Sequence, residues 1–292
     1  MNTRFVLIVA SLWLAVLFGV MDNPTWLLQE NWPIIFIAFA SAAVANATAV
    51  GGGFIFLPLF SFAYSLSAAE ALKLALATQA FGMSSGALGW SKKVIDFHFL
   101  KLGAGAGVLG MFIGTFLFTP PGHLIHNIFG YASIVVSLAL FIEMIYIRKT
   151  DKTVFDEPNH SLVEFCIWAL LGGLITAWTS IGIGEVVALW LLFRAKQSIV
   201  KSVATGVAVL AICSISGLLF HIYEGGIVWE YLIFTAPGVL LGGRAGALLG
   251  KRMAGVKKQQ EPHIHNDNKG FGLKLFVALV IFADGIVVIF NQ

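Results

Sequence analysis

Apolar runs close to membrane-spanning length recur along the chain at 5–21, 74–91, 102–119, 124–142, 202–220, 231–250 and 275–290, with polar loops between them. Roughly 20 apolar residues in a helix cross a bilayer's hydrocarbon core, so each run predicts a transmembrane helix. Two further segments do not fit this unit. Residues 31–69 carry no charge and 165–193 carry only Glu185. Each is too long for one helix and scarcely long enough for two crossings. Each is also interrupted by glycines, Val50-Gly51-Gly52-Gly53 in one and Ile181-Gly182-Ile183-Gly184-Glu185 in the other.

The interruptions belong to a longer correspondence. Gly51 and Gly182, Gly53 and Gly184, Gly86 and Gly217, and Gly107 and Gly238 are all 131 residues apart, which predicts a duplicated unit. Paired breaks in matching hydrophobic segments point to a transporter's binding site, because unwound backbone at membrane depth must line a cavity or be buried in protein. Three adjacent glycines cannot share one packing face, so Gly51, Gly52 and Gly53 are read as a turn. Spacing near four at Gly103, Gly105, Gly107, Gly110 and Gly114, and at Gly242, Gly246 and Gly250, reads instead as helix packing.

Composition agrees: 58% of residues are apolar and 11% charged, against about a quarter charged in soluble domains. The formal charge of +3 reads as loop bias, and nothing suggests a nucleic-acid partner. Basic residues cluster at Lys92, Lys93 and Lys101, at Arg148, Lys149 and Lys152, at Arg194, Lys196 and Lys201, and from Lys251 to Lys269. The positive-inside rule places these loops and Arg4 in the cytoplasm. The signs then require 31–69 to start and end outside and 165–193 to start and end inside.

The expected fold is therefore an all-α polytopic membrane protein of two inverted-topology repeats. Each repeat has a glycine-broken helical hairpin and three transmembrane helices, and one extra helix precedes them. Residues 1–30 form that helix and an outer loop, 31–150 the first repeat, 151–161 a cytoplasmic linker and 162–292 the second repeat, with a polar cytoplasmic loop at 251–274. The expected location is the inner (plasma) membrane, amino terminus cytoplasmic and carboxyl terminus outside. Residues 5–21 are expected to be retained, since their apolar core exceeds a usual signal-peptide h-region. Charge bias leaves open whether the hairpins are re-entrant or fully crossing.

An ionisable group inside an apolar segment is a functional hypothesis by default. Glu185 follows the second break, where desolvation favours its neutral form and a half-helix amino terminus its charged form. Its readings are a proton-coupling carboxylate or a partner of Arg244. Asp284 is a second titrating candidate or a partner of Lys73 or Arg244. His123 with His126, and His263 with His265, read as interfacial and solvated pairs, so no metal is expected. Cys166 and Cys213 read as buried hydrophobes. No H-E-x-x-H, G-x-S-x-G or P-loop occurs, so neither an enzyme nor a cofactor is expected.

With Ala49-Val50-Gly51-Gly52-Gly53-Phe54-Ile55-Phe56-Leu57-Pro58, Ala77-Thr78-Gln79, Gly182-Ile183-Gly184 and Val203-Ala204-Thr205-Gly206, the chain resembles the TauE/SafE family of sulfite exporters and sulfonate permease-like transporters over roughly 33–290. The family's usual pattern in each half is a G-x-G-G-G turn, a proline and an Ala-Thr pair. The first half lacks only the leading glycine. The second has Glu185 in place of a glycine and Ala188-Leu189 near the place of the proline.

The resemblance implies export of a small sulfur-containing oxyanion or organic anion, of sulfite, sulfonate or sulfoacetate type, by alternating access. Proton coupling is one expected mode, with Glu185, Asp284 and Arg244 as its candidate residues. Candidate substrate contacts are Asn46, Thr48, Gly51, Gly52, Gly53, Thr78, Gln79, Ser84 and Ser85 in one half. In the other they are Thr179, Ser180, Gly182, Gly184 and Thr205, with Thr176 a further donor. An anion channel and a carrier of a non-sulfur anion stay open, as do direction, coupling ion and oligomeric state, a homodimer included. The expected partners are the small anion and the lipid bilayer.

Overall fold

The computed structural model describes residues 3–90, 92–149, 161–253 and 271–290, and within these the chain is helical, without strands. Helix α1 is Thr3–Val20 and α2 is Pro24–Thr48. The first break leads into the short α3, Gly53–Pro58, which continues as a π-helical turn, Leu59–Ala63. Helices α4 (Ala68–Gly89), α5 (Phe97–Phe112, extended by a π-helical turn to Leu117) and α6 (Gly122–Lys149) complete the first half. The second half runs α7 (Leu162–Thr179), α8 (Ile183–Phe193), α9 (Ile199–Glu224), α10 (Trp229–Met253) and α11 (Phe271–Phe290).

Among the described residues, seven helices, namely α1, α2, α5, α6, α7, α9 and α10, contain stretches long and apolar enough to cross a membrane. The run at 275–290 appears in α11 as the apolar stretch Ala278–Phe290. The run at 74–91 corresponds to α4, which is long enough but too polar to join the seven. Its small and polar residues are buried against protein rather than turned to lipid. The two anomalous segments resolve unequally. Their first arms, α2 and α7, are full-length helices, and the return arms, Gly53–Ala63 and Ile183–Phe193, are short.

The beginning of the first segment differs from expectation. Helix α2 starts at Pro24, not Asn31, so the boundary between residues 30 and 31 falls inside it. Proline at a first helical position gives up no hydrogen bond, and Asn23 ahead of it turns left-handed (φ 54°). Glu30, which marked the expected boundary, is an exposed residue on the first turns of α2. Other starts follow local chemistry. Ser67 and Glu70 form a reciprocal capping box on α4, the Ser198 hydroxyl accepts from Lys201 N–H on α9, and Asp96 caps α5.

Helix α2 packs along α10, α5 along α7, α4 against both α9 and α10, α5 against α9, and α6 against α11. Small residues make two of the long seams. A Cβ on Gly238, Gly242 or Gly246 of α10 would strike the backbone carbonyl of Ile35, Phe39 or Ala43 on α2. One on Gly110 would strike Leu170, and one on Gly114 would meet Ala177, both on α7. The packing reading of these glycines therefore stands, except that Gly105 faces open space. Helix α9 is central, with 67% of its spanning window buried, whereas α1 with 11% lies at the edge. Large apolar side chains such as Leu12, Val20 and Val163 are exposed on the outside of the bundle, where lipid is the natural solvent.

Candidate functional site

Both first arms stop in the same way. Helix α2 ends where Ala49 turns left-handed (φ 64°, ψ 12°), and α7 ends where Ser180 does (φ 60°, ψ 15°). These residues are 131 apart, the offset of the glycines. A non-glycine residue in this conformation costs about 1–2 kcal/mol, and here it is imposed by complete burial of Ala49, Val50, Ser180 and Ile181. Threonines close the exposed backbone. Thr48 Oγ1 donates to Val44 O at 3.0 Å, Thr176 Oγ1 accepts from Ile183 N–H at 2.9 Å, and Thr179 Oγ1 accepts from Ile181 N–H at 3.3 Å.

The two breaks cross in backbone contact. A Cβ on Gly53 would lie 2.6 Å from Thr179 O, one on Gly184 2.5 Å from Ala49 O, and one on Gly51 3.0 Å from both Ile181 Cα and Gln79 Oε1. These glycines are required by close approach, and Gly182 by its φ of 130°. Gly52 is different: its φ is −66°, in the right-handed region open to any residue. Its added Cβ would meet only the Phe56 ring, at 3.2 Å, and Gln79, at 3.7 Å.

The N–H groups at the crossing are occupied. Gly51 N–H donates to Glu185 Oε1 at 2.8 Å and Gly182 N–H to Glu185 Oε2 at 3.0 Å, so one carboxylate joins both breaks. Gly52 N–H donates to Gln79 Oε1 at 2.6 Å, and the Ser180 hydroxyl donates to the same oxygen at 3.3 Å. Gln79 Nε2 donates to Ser214 Oγ at 2.9 Å. Gln79 and Glu185 are each 2% exposed, which closes this centre to solvent on both sides. No basic side chain pairs with Glu185 among the described residues.

Arg244, the partner in one of the two readings of Glu185, instead lies 4.1 Å over the Phe5 ring, with its buried Nε unpartnered. The Asp284 side chain lies outside the described residues, as do those of His123 and Glu143 and the whole of His263, His265 and the linker 151–160. Lys73, a suggested partner of Asp284, pairs with Glu224 at 3.3 Å and donates to Gly225 O at 2.9 Å.

Of the predicted contacts, Gly51, Gly52, Gly53, Gln79, Thr179, Ser180, Gly182 and Gly184 meet at the crossing. Thr48 and Thr176 bond within the breaks themselves, and the others bond elsewhere. Asn46 Nδ2 donates to Ala42 O at 2.9 Å and Gly82 O at 3.3 Å. Thr78 bonds Thr235 at 2.8 Å, Ser84 donates to Ala80 O, and Ser85 donates to Leu240 O. Thr205 Oγ1 accepts from Asp96 N–H at 2.9 Å. Sequence reasoning missed Ser214, one of three serines in an apolar helix and without a local signature of its own.

Asp96 anchors its loop to α9. Its carboxylate accepts from Lys201 Nζ at 2.8 Å and Gln197 Nε2 at 2.9 Å, and from the His98 and Phe99 N–H groups. Burial acts to raise this carboxyl, but hydrogen bonds from Lys201, Gln197 and Phe99, with the Lys201 charge, outweigh it and hold it below the usual carboxylate range.

Compared with protein families, residues 34–259 match the model of the sulfite exporter TauE/SafE family. Comparison with curated proteins and with solved structures finds no match. The match covers most of the chain, and the chain belongs to that family.

Proposed function

We propose that this member of the sulfite exporter TauE/SafE family, a multi-pass membrane transporter rather than an enzyme, is a secondary active carrier. It moves a small sulfur-containing oxyanion or organic anion, of sulfite, sulfonate or sulfoacetate type, by alternating access, with export as its direction. The observation that carries this reading is the crossing of the two breaks, where N–H donors from both halves converge on one buried centre. Donors of this kind suit an oxyanion whose charge is spread over several oxygens. The crossing also belongs at mid-depth. Gln79 is halfway along α4, and an 11-residue return arm is about 16 Å long, half of a roughly 30 Å hydrocarbon core. On this reading both hairpins are re-entrant.

The inverted repeat has independent support. Exchanging the halves carries the α2–α10 seam onto α7–α5 and α4–α10 onto α9–α5, and returns α4–α9 and α6–α11 to themselves. The left-handed residues Ala49 and Ser180 and the cap residues Ser67 and Ser198 obey the same offset of 131. Gly51 through Gly53, Gln79, Ser180, Gly182 and Gly184 form the substrate centre, and Glu185 is the group that couples it to protons. Counterflow in proteoliposomes, with sulfite, thiosulfate, sulfonates and carboxylates as a panel, tests the reading. Saturable exchange selective for sulfur oxyanions is expected. Conductance without exchange would instead identify a channel.

A further inference from the structure

Glu185 does something at the crossing that its place on α8 does not require. The bond from Gly182 N–H to Oε2 is the ordinary reach-back of a glutamate in a first helical turn. The bond from Gly51 N–H to Oε1 is not local, because Gly51 is 134 residues away in the other half, on the opposite break. A carboxyl group is thus already bound where the two halves meet, by one donor from each. It is buried, with no basic partner among the described residues. A second acceptor, Gln79 Oε1, holds the neighbouring Gly52 N–H and the Ser180 hydroxyl. The donors an oxyanion would need are therefore present, aligned and in use.

We propose that the Glu185 carboxylate is the resident ligand of the substrate site, and that the transported oxyanion binds by displacing it from the Gly51 and Gly182 N–H groups. The inference rests on the carrier reading and specifies how its site is kept closed. With its own carboxylate in place, the centre carries one negative charge between transport events. An entering anion that takes over both N–H groups replaces one acceptor by another, so no buried donor is left unmade at the crossing. The carboxylate also fastens α8 to the opposite break, so its displacement removes a bond between the halves when the substrate is in place. Like charges cannot share this small centre, so substrate and Glu185 occupy it in turn.

The test is anion binding to the purified full-length protein, with thiosulfate and methanesulfonate as probes, in the wild type, Glu185→Gln and Glu185→Ala. The amide of Glu185→Gln has a single acceptor oxygen and frees one N–H, while Glu185→Ala frees both. Affinity is therefore expected to rise in the order Glu, Gln, Ala, by about tenfold at each step for a charge-assisted contact. Equal or weaker binding in both variants, with wild-type melting temperature, overturns the proposal.

An infrared difference spectrum of the wild type on adding either anion supplies a measurement that needs no functional variant. The Glu185 carboxylate stretch, assigned by its loss in Glu185→Gln, is expected to shift, and an unmoved band overturns displacement. If neither anion binds any of the three proteins and counterflow also fails, the sulfur-anion reading falls with it. Binding and exchange by the wild type without a gain in the variants remove displacement alone.

Discussion

At the residue scale, three consecutive glycines do unequal work. Gly51 and Gly53 lie in backbone contact with Ser180, Ile181 and Thr179 of the other break, while Gly52 faces the edge of the Phe56 ring. A methyl on Gly53 must push apart two chain segments, and overpacking of that kind costs about 1–3 kcal/mol. A methyl on Gly52 asks only for a small ring movement. Gly53→Ala is therefore expected to lower the melting temperature in detergent clearly, Gly51→Ala likewise, and Gly52→Ala by much less. Equal losses at all three positions would show that the crossing is looser than described. The sequence revealed that these glycines form a turn, because three in a row fit no packing face. It did not reveal that their N–H groups are engaged by Glu185 and Gln79, since those contacts join residues 134 and 27 positions apart. Glu185 was legible as a buried ionisable group, but its partner was not: Arg244, chosen by charge, stacks on Phe5 at the bundle's edge.

At the element scale, the spacing of small residues was a reliable guide and the positions of charges a weaker one. Glycine repeats on α10 and α5 do mark the seams with α2 and α7, because only a missing Cβ admits a neighbouring carbonyl that closely. Gly242→Leu should accordingly abolish stable expression, whereas Gly105→Leu, pointing into open space, should leave it near wild type. Comparing the monodisperse yield of the two variants checks this. Charge misplaced the start of α2, since Glu30 can project outward from a helix already begun at Pro24. The Ala-Thr pairs do not follow the repeat offset. By the offset of 131, Thr78 corresponds to Val209 and Thr205 to Leu74, so the pairs lie a turn apart in their helices and serve different contacts.

The loop of Asp96 gives an element-scale prediction in pH. Its carboxyl is held below the unfolded value of about 3.9. The stability it contributes is therefore fully present above that value and is lost as pH falls through the lower folded one. Asp96→Asn keeps an acceptor for the start of α5 but gives up the pair with the partly exposed Lys201. It is expected to cost about 1 kcal/mol or less near neutrality, with the melting temperatures of variant and wild type converging in acid. A gap that widens on acidification would reverse the sign and exclude this role.

At the scale of the whole molecule, the proposed inverted arrangement makes a demand that no single residue carries. If both hairpins return to the face they entered from, the ends of the first must label from outside and those of the second from inside. Reporter positions need exposure and must not disturb the crossing. Asp22 before α2 and Ala69 in the first turn of α4 satisfy this for the first hairpin, and Ser161 before α7 and Lys196 after α8 for the second. In a cysteine-free background, with Cys166 and Cys213 replaced, an impermeant maleimide applied to intact cells should modify Asp22→Cys and Ala69→Cys. It should reach Ser161→Cys and Lys196→Cys only after the membrane is opened. The positive-inside argument fixes the sign, because the loops at Lys92–Lys93 and Arg194–Lys201 carry the basic residues. The breaks' common conformation, with Ala49 and Ser180 both turning left-handed, is what a repeated unit predicts, and the labelling decides whether its two copies run in opposite senses. Opposite-face labelling across either hairpin would mean that the segment makes a single net crossing, its short arm continuing onward instead of turning back. The breaks would then no longer be tips meeting at mid-depth, and the carrier reading would lose the geometry on which it stands. Labelling as expected leaves one buried centre between two oppositely oriented halves, the arrangement through which rocking of one half against the other exposes the same donors first to one side and then to the other.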